Sequence, residues 1–304
     1  MAPLTEPMSL TLQQLEAIQA DAMADDIAID VAKMSLWTEA QAREFFESGG
    51  EVEPAAQEAP PRRLRVLALH AFRTNGRILE QQQRLSLQAE TLRDVIDFEV
   101  LDAPHVCSAE EAARAYPIVH KIFPASKYGS YREWYNAVDV EATKEAEWSA
   151  PTARYAHFDE AIAAVTDALA RASPPFDGLL GFSQGGSLAL QVVAMQRAGT
   201  LLRPCPPVRF VWIQSSRLPR DPACGGLFSP PLRTPALVTY HDDDTSVRPE
   251  ETRHLIEHLI SPTVLHRPKG GHSLFSCREE AGASAVRAFF HERRRELASN
   301  ASCA

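Results

Sequence analysis

The stretch Gly178-Leu179-Leu180-Gly181-Phe182-Ser183-Gln184-Gly185 decides the fold of this chain. An apolar run leads into a Gly-x-Ser-x-Gly pentapeptide, and the residues from Ser187 to Met195 then follow a helical pattern. A strand, a tight turn that carries a serine, and a helix make up the arrangement called a nucleophile elbow. The two glycines of the pentapeptide are expected because a side chain there would clash with the neighbouring strand or helix. We therefore predict that Ser183 is a nucleophile.

Outward from this stretch, predicted strands and helices alternate. The strands are Leu64–Ala71, Phe98–Leu101, Val208–Ile213, Ala236–Tyr240 and Thr263–His266. The helices are Ile78–Val95, His157–Ala172, Glu250–Ile260 and Ala281–Leu297. Strands separated by helices predict an α/β fold with a doubly wound, mostly parallel sheet that has helices on both faces.

Three regions depart from that alternation. Residues 1–50 have helical spacing and are predicted to form an N-terminal helical extension, followed by a proline-rich linker over 51–63. The remaining residues, 64–304, are predicted to form the main domain. Within it, residues 105–150 are long, aromatic and irregular, and a segment of that kind is typical of a lid or cap.

Composition excludes several functional classes. The net charge of −9, from 31 basic and 40 acidic side chains, argues against a nucleic-acid surface. No apolar run approaches the roughly 20 residues that span a membrane. Five scattered cysteines without close pairs are typical of reduced thiols, and the first residues resemble no leader peptide. These features favour a cytoplasmic protein.

A serine nucleophile needs a histidine base, and that base needs a carboxylate to orient it. His272 lies in a glycine-rich loop after the last predicted strand, whereas His254, His258 and His291 lie in helices and His266 in a strand. We therefore expect His272 to be the base. The acid is expected in the run of three aspartates after strand Ala236–Tyr240, with Asp244 preferred and Asp243 and Asp242 as alternatives.

The same acidic run also resembles a metal-binding sequence. Its adjacent carboxylates alternate in direction, however, and cannot all face one ion. A metal ion is therefore not expected at this run, and we expect the chain to use no metal and no cofactor.

The oxyanion of an acyl-transfer reaction needs two N–H donors. One is expected from the backbone of Gln184, and the other from the loop after the first strand, at Ala71 or Phe72. His70 in that loop is either a packed core residue or a residue that shapes the substrate pocket. Tyr128 and Trp134 belong to the aromatic segment expected to cover an apolar acyl pocket.

Taken together, five blocks of sequence resemble the FSH family of serine hydrolases. They are Arg65–Phe72 with Asn75-Gly76, Leu101–His105, Arg132–Tyr135, Pro175–Gly185 and Gly270-Gly271-His272. The resemblance covers roughly residues 62–295. It departs from the family at Ala71, where a glycine is usual after the histidine, and at His241, where a glycine usually stands three residues before the acid.

The resemblance implies an α/β-hydrolase fold and a triad of Ser183, Asp244 and His272. It also implies hydrolysis of small-molecule esters or thioesters of acyl chains. Two alternatives remain: a non-catalytic binding protein on a hydrolase fold, and an acyltransferase that uses the same triad. Residues 1–61 have no counterpart in the family and are a candidate docking segment for a protein partner.

Overall fold

The computed structural model describes residues 62–115, 117–138, 154–201 and 203–301. The predicted helices of residues 1–50 and nearly all of the predicted linker lie outside the described residues. The numbering of helices and strands below starts at Leu64. Among the described residues, no helix combines the length and the apolar character needed to cross a membrane.

A six-stranded parallel sheet carries the fold, as the alternating pattern predicted. Its strands are β1 (Leu64–Leu69), β2 (Ile96–Leu101), β7 (Gly178–Phe182), β8 (Phe210–Gln214), β9 (Ala236–His241) and β10 (Thr263–Arg267). The large helices are α1 (Gly76–Leu85), α6 (Phe158–Arg171), α7 (Gln184–Ala198), α8 (Pro249–Glu257) and α9 (Glu280–Ala301).

The central strands are apolar on both faces because helices cover both faces of the sheet. Every residue of β7, β8 and β9 is buried. Successive side chains of a strand point to opposite faces, and β7 shows this directly. Leu179 belongs to one core cluster together with Leu188 of α7, whereas Leu180 belongs to a second cluster together with Phe290 of α9.

The order of the strands in the sheet is β10-β9-β8-β7-β1-β2. Along the chain, β2 is placed on one side of β1. The strands β7, β8, β9 and β10 are then placed in that order on the other side of β1. The order of the strands therefore reverses between β1 and β7. Ligands of open α/β sheets bind outside the carboxyl ends of the strands at such a point, and the loops of both Ser183 and His70 leave the sheet there.

An ion pair holds the N-terminal end of β7, which is the end opposite to Ser183. The guanidinium of Arg62 donates two hydrogen bonds of 2.7 Å to Asp177, and the backbone N–H of Arg65 donates to the same carboxylate. Asp177 is buried and directly precedes β7. The start of β1 and the start of β7 are thus joined side by side.

Two sequence predictions need correction. The helix predicted over Ile78–Val95 is two helices, α1 and the short α2 (Gln88–Thr91), because Leu87 takes a left-handed conformation with φ of 60°. The strand predicted to reach Ala71 ends at Leu69, because the backbone turns there into a loop whose first carbonyls pass close to Gly185.

The aromatic segment also has more regular structure than its sequence indicated. It contains β3 (His105–Val106), α3 (Ala109–Ala115), α4 (Pro117–Ile122), α5 (Ala125–Tyr128), β4 (Arg132–Glu133) and β5 (Asn136–Val138). β3 pairs with β4, and β5 pairs with β6 (Arg154–Ala156), in two small antiparallel ribbons. Residues 139–150, which complete the predicted lid, lie outside the described residues.

Candidate active site

Ser183 stands at a sharp turn between β7 and α7. Its backbone φ of 55° and ψ of −117° lie outside the regions that ordinary residues adopt. A Cβ at Gly181 would lie 2.4 Å from the backbone oxygen of Gly185, and one at Gly185 would lie 2.3 Å from the carbonyl oxygen of Leu69. Both glycines are therefore required by close backbone approaches, and together they allow α7 to pack tightly against β1 and β7.

Three side chains meet at this turn. His272 Nε2 lies 2.9 Å from Ser183 Oγ, and His272 Nδ1 lies 2.8 Å from Asp244 Oδ2. The three residues come from loops after β7, β9 and β10, whose carboxyl ends share one edge of the sheet. The resulting order of contacts, carboxylate to imidazole to hydroxyl, is the arrangement that activates a serine.

The loop of Asp244 holds its carboxylate in place. Oδ1 accepts hydrogen bonds from the backbone N–H groups of Ser246, at 2.8 Å, and Val247, at 3.0 Å. Burial opposes ionisation of this carboxyl group. The hydrogen bond and charge of His272, with the two N–H donors, nevertheless keep the pKa of Asp244 below its ordinary value. Asp244 is therefore a carboxylate at neutral pH, as an orienting acid must be.

The two aspartates that precede Asp244, Asp242 and Asp243, contact groups other than the ring of His272. Asp243 accepts a hydrogen bond from the backbone N–H of Gly271 at 2.7 Å. Asp242 contacts the ring of His266 and the guanidinium of Arg253. The three adjacent carboxylates thus have three different sets of partners, and only Asp244 has a described contact with His272.

A buried amide network supports the loop of His272. Gln214, at the end of β8, accepts hydrogen bonds from the backbone N–H of Phe275 and from the side chain of Gln88. The Gln88 side chain also donates to the carbonyl of Phe275. The ring of Phe182 stacks on the imidazole of His272, with centroids 5.1 Å apart. Sequence reasoning missed Gln88 and Gln214, although an amide in an otherwise apolar strand or helix start is a usable signal.

His241 occupies the position where the resembling family usually has glycine. Its ring is buried beside Gly270, where an added Cβ would lie 2.2 Å from His241 Cδ2. Burial lowers the pKa of His241, so the ring is neutral under ordinary conditions. Gly270, with φ of +156°, thereby gives the loop of His272 room to pass the imidazole.

The predicted oxyanion donors lie on the two sides of the strand-order reversal. Gln184 is the first residue of α7, and the first N–H groups of a helix have no acceptor within the helix. Ala71 and Phe72 lie in the loop after β1, whose Leu69 carbonyl closely approaches Gly185. The structure thus brings both backbone segments to the turn of Ser183. Their role as donors stays a prediction.

The structure places the side chain of His70 in the core, where it is fully buried and hydrogen-bonded. Nδ1 lies 2.8 Å from the carbonyl oxygen of Ala71, and Nε2 accepts a hydrogen bond of 3.0 Å from the backbone N–H of Ala103. Burial lowers the pKa of His70 to about 4, so the ring is neutral. His70 is thus the packed alternative, and it ties the loop after β1 to the end of β2.

Trp134 is likewise fully buried and has no surface to offer a substrate. Its indole Nε1 donates to the carbonyl of His70 at 2.9 Å, and its backbone N–H donates to Gln184 Oε1 at 3.1 Å. The side chain of Gln184 also donates to the carbonyl of Tyr135 at 2.7 Å. Trp134 therefore joins the two segments that carry the predicted oxyanion donors, and its buried side chain is placed to position them rather than to contact a substrate.

Tyr128 lies at the end of α5 and packs edge-on against Phe123, with ring centroids 5.2 Å apart. Phe123 is a member of a small buried cluster within the aromatic segment, and Tyr128 packs against that cluster. Its role in substrate binding stays a prediction.

Comparison with known proteins agrees with this geometry. A family model described as "Serine hydrolase (FSH1)" matches residues 60–279. The mouse (Mus musculus) protein "Esterase OVCA2" is 30% identical over 214 residues, which cover 69% of this chain and 88% of the mouse protein. "Esterase CG5412" of Drosophila melanogaster is 26% identical over 211 residues, covering 69% of this chain and 68% of the fly protein.

Among solved structures, acyl-protein thioesterase 2 of Zea mays aligns with a TM-score of 0.48 and 16% identity. The alignment covers 79% of this chain and 97% of that one.

Proposed function

The chain belongs to the FSH1 family of serine hydrolases, and on that basis we propose that it cleaves carboxylic esters or thioesters through an acyl-enzyme on Ser183. The observation that carries the proposal is the pair of contacts made by His272, 2.9 Å to Ser183 Oγ and 2.8 Å to Asp244 Oδ2. An imidazole placed between a hydroxyl and a buried carboxylate is the arrangement that transfers a proton.

In the proposed reaction, Asp244 holds a proton on His272 Nδ1, which leaves Nε2 free to accept one. Nε2 takes the proton of Ser183 as Oγ attacks the acyl carbonyl. The imidazolium then returns that proton to the departing alcohol or thiol, and the acyl group remains as an ester of Ser183. Water, activated by the same nitrogen, releases the acid and restores the serine.

Negative charge develops on the carbonyl oxygen during both attacks. We assign its stabilisation to the backbone N–H of Gln184 and to a second N–H from Ala71 or Phe72. Loss of a single donor of this kind typically lowers kcat by about 10²- to 10³-fold. Fixed donors need no rearrangement during the reaction, and the contacts of Trp134 and Gln184 supply that rigidity.

The substrate is proposed to be a small-molecule ester or thioester of an acyl chain. We propose that the predicted lid, residues 105–150, covers the acyl group, because its Trp134 and Tyr135 are hydrogen-bonded to the side chain of Gln184. A series of p-nitrophenyl esters and acyl-CoA thioesters of increasing chain length tests this assignment. A sharp optimum of kcat/KM in chain length is expected, and equal rates for all lengths would contradict a covering lid.

The central test is covalent labelling by a fluorophosphonate probe. We expect the native protein to be labelled, and Ser183→Ala and His272→Ala to be unlabelled while they keep the native thermal transition. Ser284→Ala, which alters an exposed serine of α9, serves as the matched control. Labelling of Ser183→Ala at the native rate would overturn the proposal, as would a folded native protein that resists labelling.

Residues 1–61 and the cellular location are part of the same proposal. We propose that residues 1–61 dock a protein partner and that the protein acts in the cytoplasm. The four described cysteines, Cys107, Cys205, Cys224 and Cys277, are free thiols, which supports a reducing compartment. Deletion of residues 1–61 should preserve ester turnover and abolish capture of the partner. Cell fractionation that recovers the protein outside the cytoplasm would contradict the proposed location.

A further inference from the structure

Three side chains with metal-binding atoms converge away from Ser183. They are His105 of β3, His157 just before α6, and Glu160 in the first turn of α6. Glu160 Oε2 lies 2.8 Å from His105 Nε2 and 2.9 Å from His157 Nδ1. Among the described ranges of the chain, this is the one group of three such side chains whose ligand atoms all lie within 4.8 Å of one another.

The backbone of His157 gives a first reason to look for a ligand here. Its φ of 65° is left-handed, a conformation that residues other than glycine adopt infrequently. The residue stands at the position that caps α6, yet its side chain makes no capping hydrogen bond. The ring instead turns toward Glu160 and lies 4.3 Å from the ring of His105, measured between centroids.

The contact of His105 gives a second reason. Its Nε2 atom is buried and has no hydrogen-bond partner, although Glu160 Oε2 is only 2.8 Å away. The nitrogen therefore does not point along the line to that oxygen in the way a hydrogen bond requires. His105 Nε2 and Glu160 Oε2 are therefore close together without being hydrogen-bonded to each other. This is the geometry expected of two atoms that both bind one metal ion.

From these contacts we propose that His105, His157 and Glu160 bind one divalent transition-metal ion, with zinc as the best match. Two imidazole nitrogens and one carboxylate oxygen are a ligand set that zinc takes, with further positions left to water. About half of the His157 and Glu160 side chains is exposed, so an ion reaches the site from solvent. The proposal departs from the sequence-based expectation that the chain binds no metal.

The site would join two segments that are distant in sequence. His105 lies on β3, which pairs with β4, the strand directly before Trp134. His157 and Glu160 lie at the start of α6. A bound ion would therefore brace the ribbon beside Trp134 against α6, so we expect it to stabilise the fold and to take no part in the chemistry of Ser183.

The test is a titration of the metal-free full-length protein with Zn²⁺ by isothermal calorimetry, repeated in competition with a chromophoric chelator. We expect one equivalent of Zn²⁺ to bind and the thermal transition to rise in its presence. His105→Gln, His157→Gly and Glu160→Gln should each weaken this binding by about tenfold or more. His157→Gly also suits the left-handed backbone, so its loss of binding would not reflect misfolding.

A matched control exists on α8. His254 and Glu257 repeat the spacing of His157 and Glu160 and are in contact at 3.2 Å, but within the part of the chain that the structure describes no third ligand atom completes the group. His254→Gln should leave zinc affinity unchanged. No binding by the native chain would overturn the proposal, and so would binding that survives all three site variants. In either case Glu160 would simply pair with the two histidines.

Discussion

The indole nitrogen of Trp134 donates a hydrogen bond of 2.9 Å to the backbone carbonyl of His70. This bond is one of several that connect the aromatic segment to the loop that carries Ala71 and Phe72, and Arg73 of the same loop also pairs with Glu133. Because the backbone N–H of Trp134 is held by Gln184, the bond also links that loop to the residue after the nucleophile. The spacing of the two proposed oxyanion donors thus depends on a residue that we expect never to touch the substrate.

Trp134→Phe removes the indole donor and retains an aromatic ring. We expect kcat to fall by about tenfold, a fraction of the loss caused by deleting an oxyanion donor outright, while KM changes little. Steady-state kinetics with a p-nitrophenyl ester measures the effect, and the thermal transition checks the fold. Equal losses in kcat and in substrate affinity would instead indicate a direct pocket role.

Asp244→Asn tests which aspartate orients the base. The amide keeps the shape of the side chain but favours the wrong tautomer of His272, so kcat should fall by about 10³- to 10⁴-fold. Asp243→Asn is the matched control, since Asp243 contacts the backbone of Gly271 and has no described contact with the ring of His272. A larger loss for Asp243→Asn than for Asp244→Asn would reverse the assignment.

His70 predicts a pH dependence of stability. Its pKa falls from the ordinary 6.5 to about 4 in the folded chain, so the unfolded chain binds the proton more tightly. The stabilising contribution is therefore complete above pH 6.5 and is lost as the pH falls toward 4. Protonation would place a hydrogen on Nε2, which now accepts the N–H of Ala103.

Urea unfolding between pH 4 and 7 measures this contribution, which amounts to about 3 kcal/mol over that interval. His241 also has a lowered pKa and adds a slope of the same sign. The informative quantity is thus the difference between the native chain and His70→Gln, whose amide does not titrate. If the two pH profiles run parallel, the prediction fails.

Gly270 and His241 are predicted to be energetically coupled. Gly270→Ala places a Cβ 2.2 Å from the His241 ring, so it should displace the loop of His272 and lower both kcat/KM and stability. In a His241→Gly background the same substitution should cost clearly less, which a double-mutant cycle measures.

Gly271→Ala is the control for that cycle. Its φ of +60° also strains an alanine, but an added Cβ would meet nothing within 4 Å. Its cost should therefore depend on His241 less than the cost of Gly270→Ala does, although the backbone of Gly271 is hydrogen-bonded to His241. Additive effects of Gly270→Ala and His241→Gly would show that the ring and the loop do not interact.

The local sequence was sufficient to predict Ser183 and His272, whereas it left Asp244 as the preferred one of three adjacent aspartates. Both residues can be recognised from their immediate neighbours in the sequence. Ser183 lies between glycines that allow close packing, and His272 lies in a glycine-rich loop. The order of strands and helices then brings their loops to one edge of the sheet. The parallel α/β sheet was predicted for the same reason, since its apolar runs and helical spacings are local patterns.

His70 and Trp134 could not be assigned in this way. Their burial depends on a hydrogen bond between residues 64 positions apart, which no local pattern records. The break between α1 and α2 was missed for a related reason. The chain leaves the helical path at Leu87, and Gln88 after it reaches Gln214 and Phe275, which lie more than one hundred residues away in the sequence.

The paired hydrogen bonds between Arg62 and Asp177 determine where the chain enters the sheet. Asp177 and Ser183 stand at opposite ends of β7, roughly 20 Å apart by the rise of an extended strand. A fusion junction or surface anchor placed just ahead of Arg62 would therefore join the domain at the end farthest from the nucleophile. Immobilising the enzyme through that point should leave the mouth of the site facing away from the support.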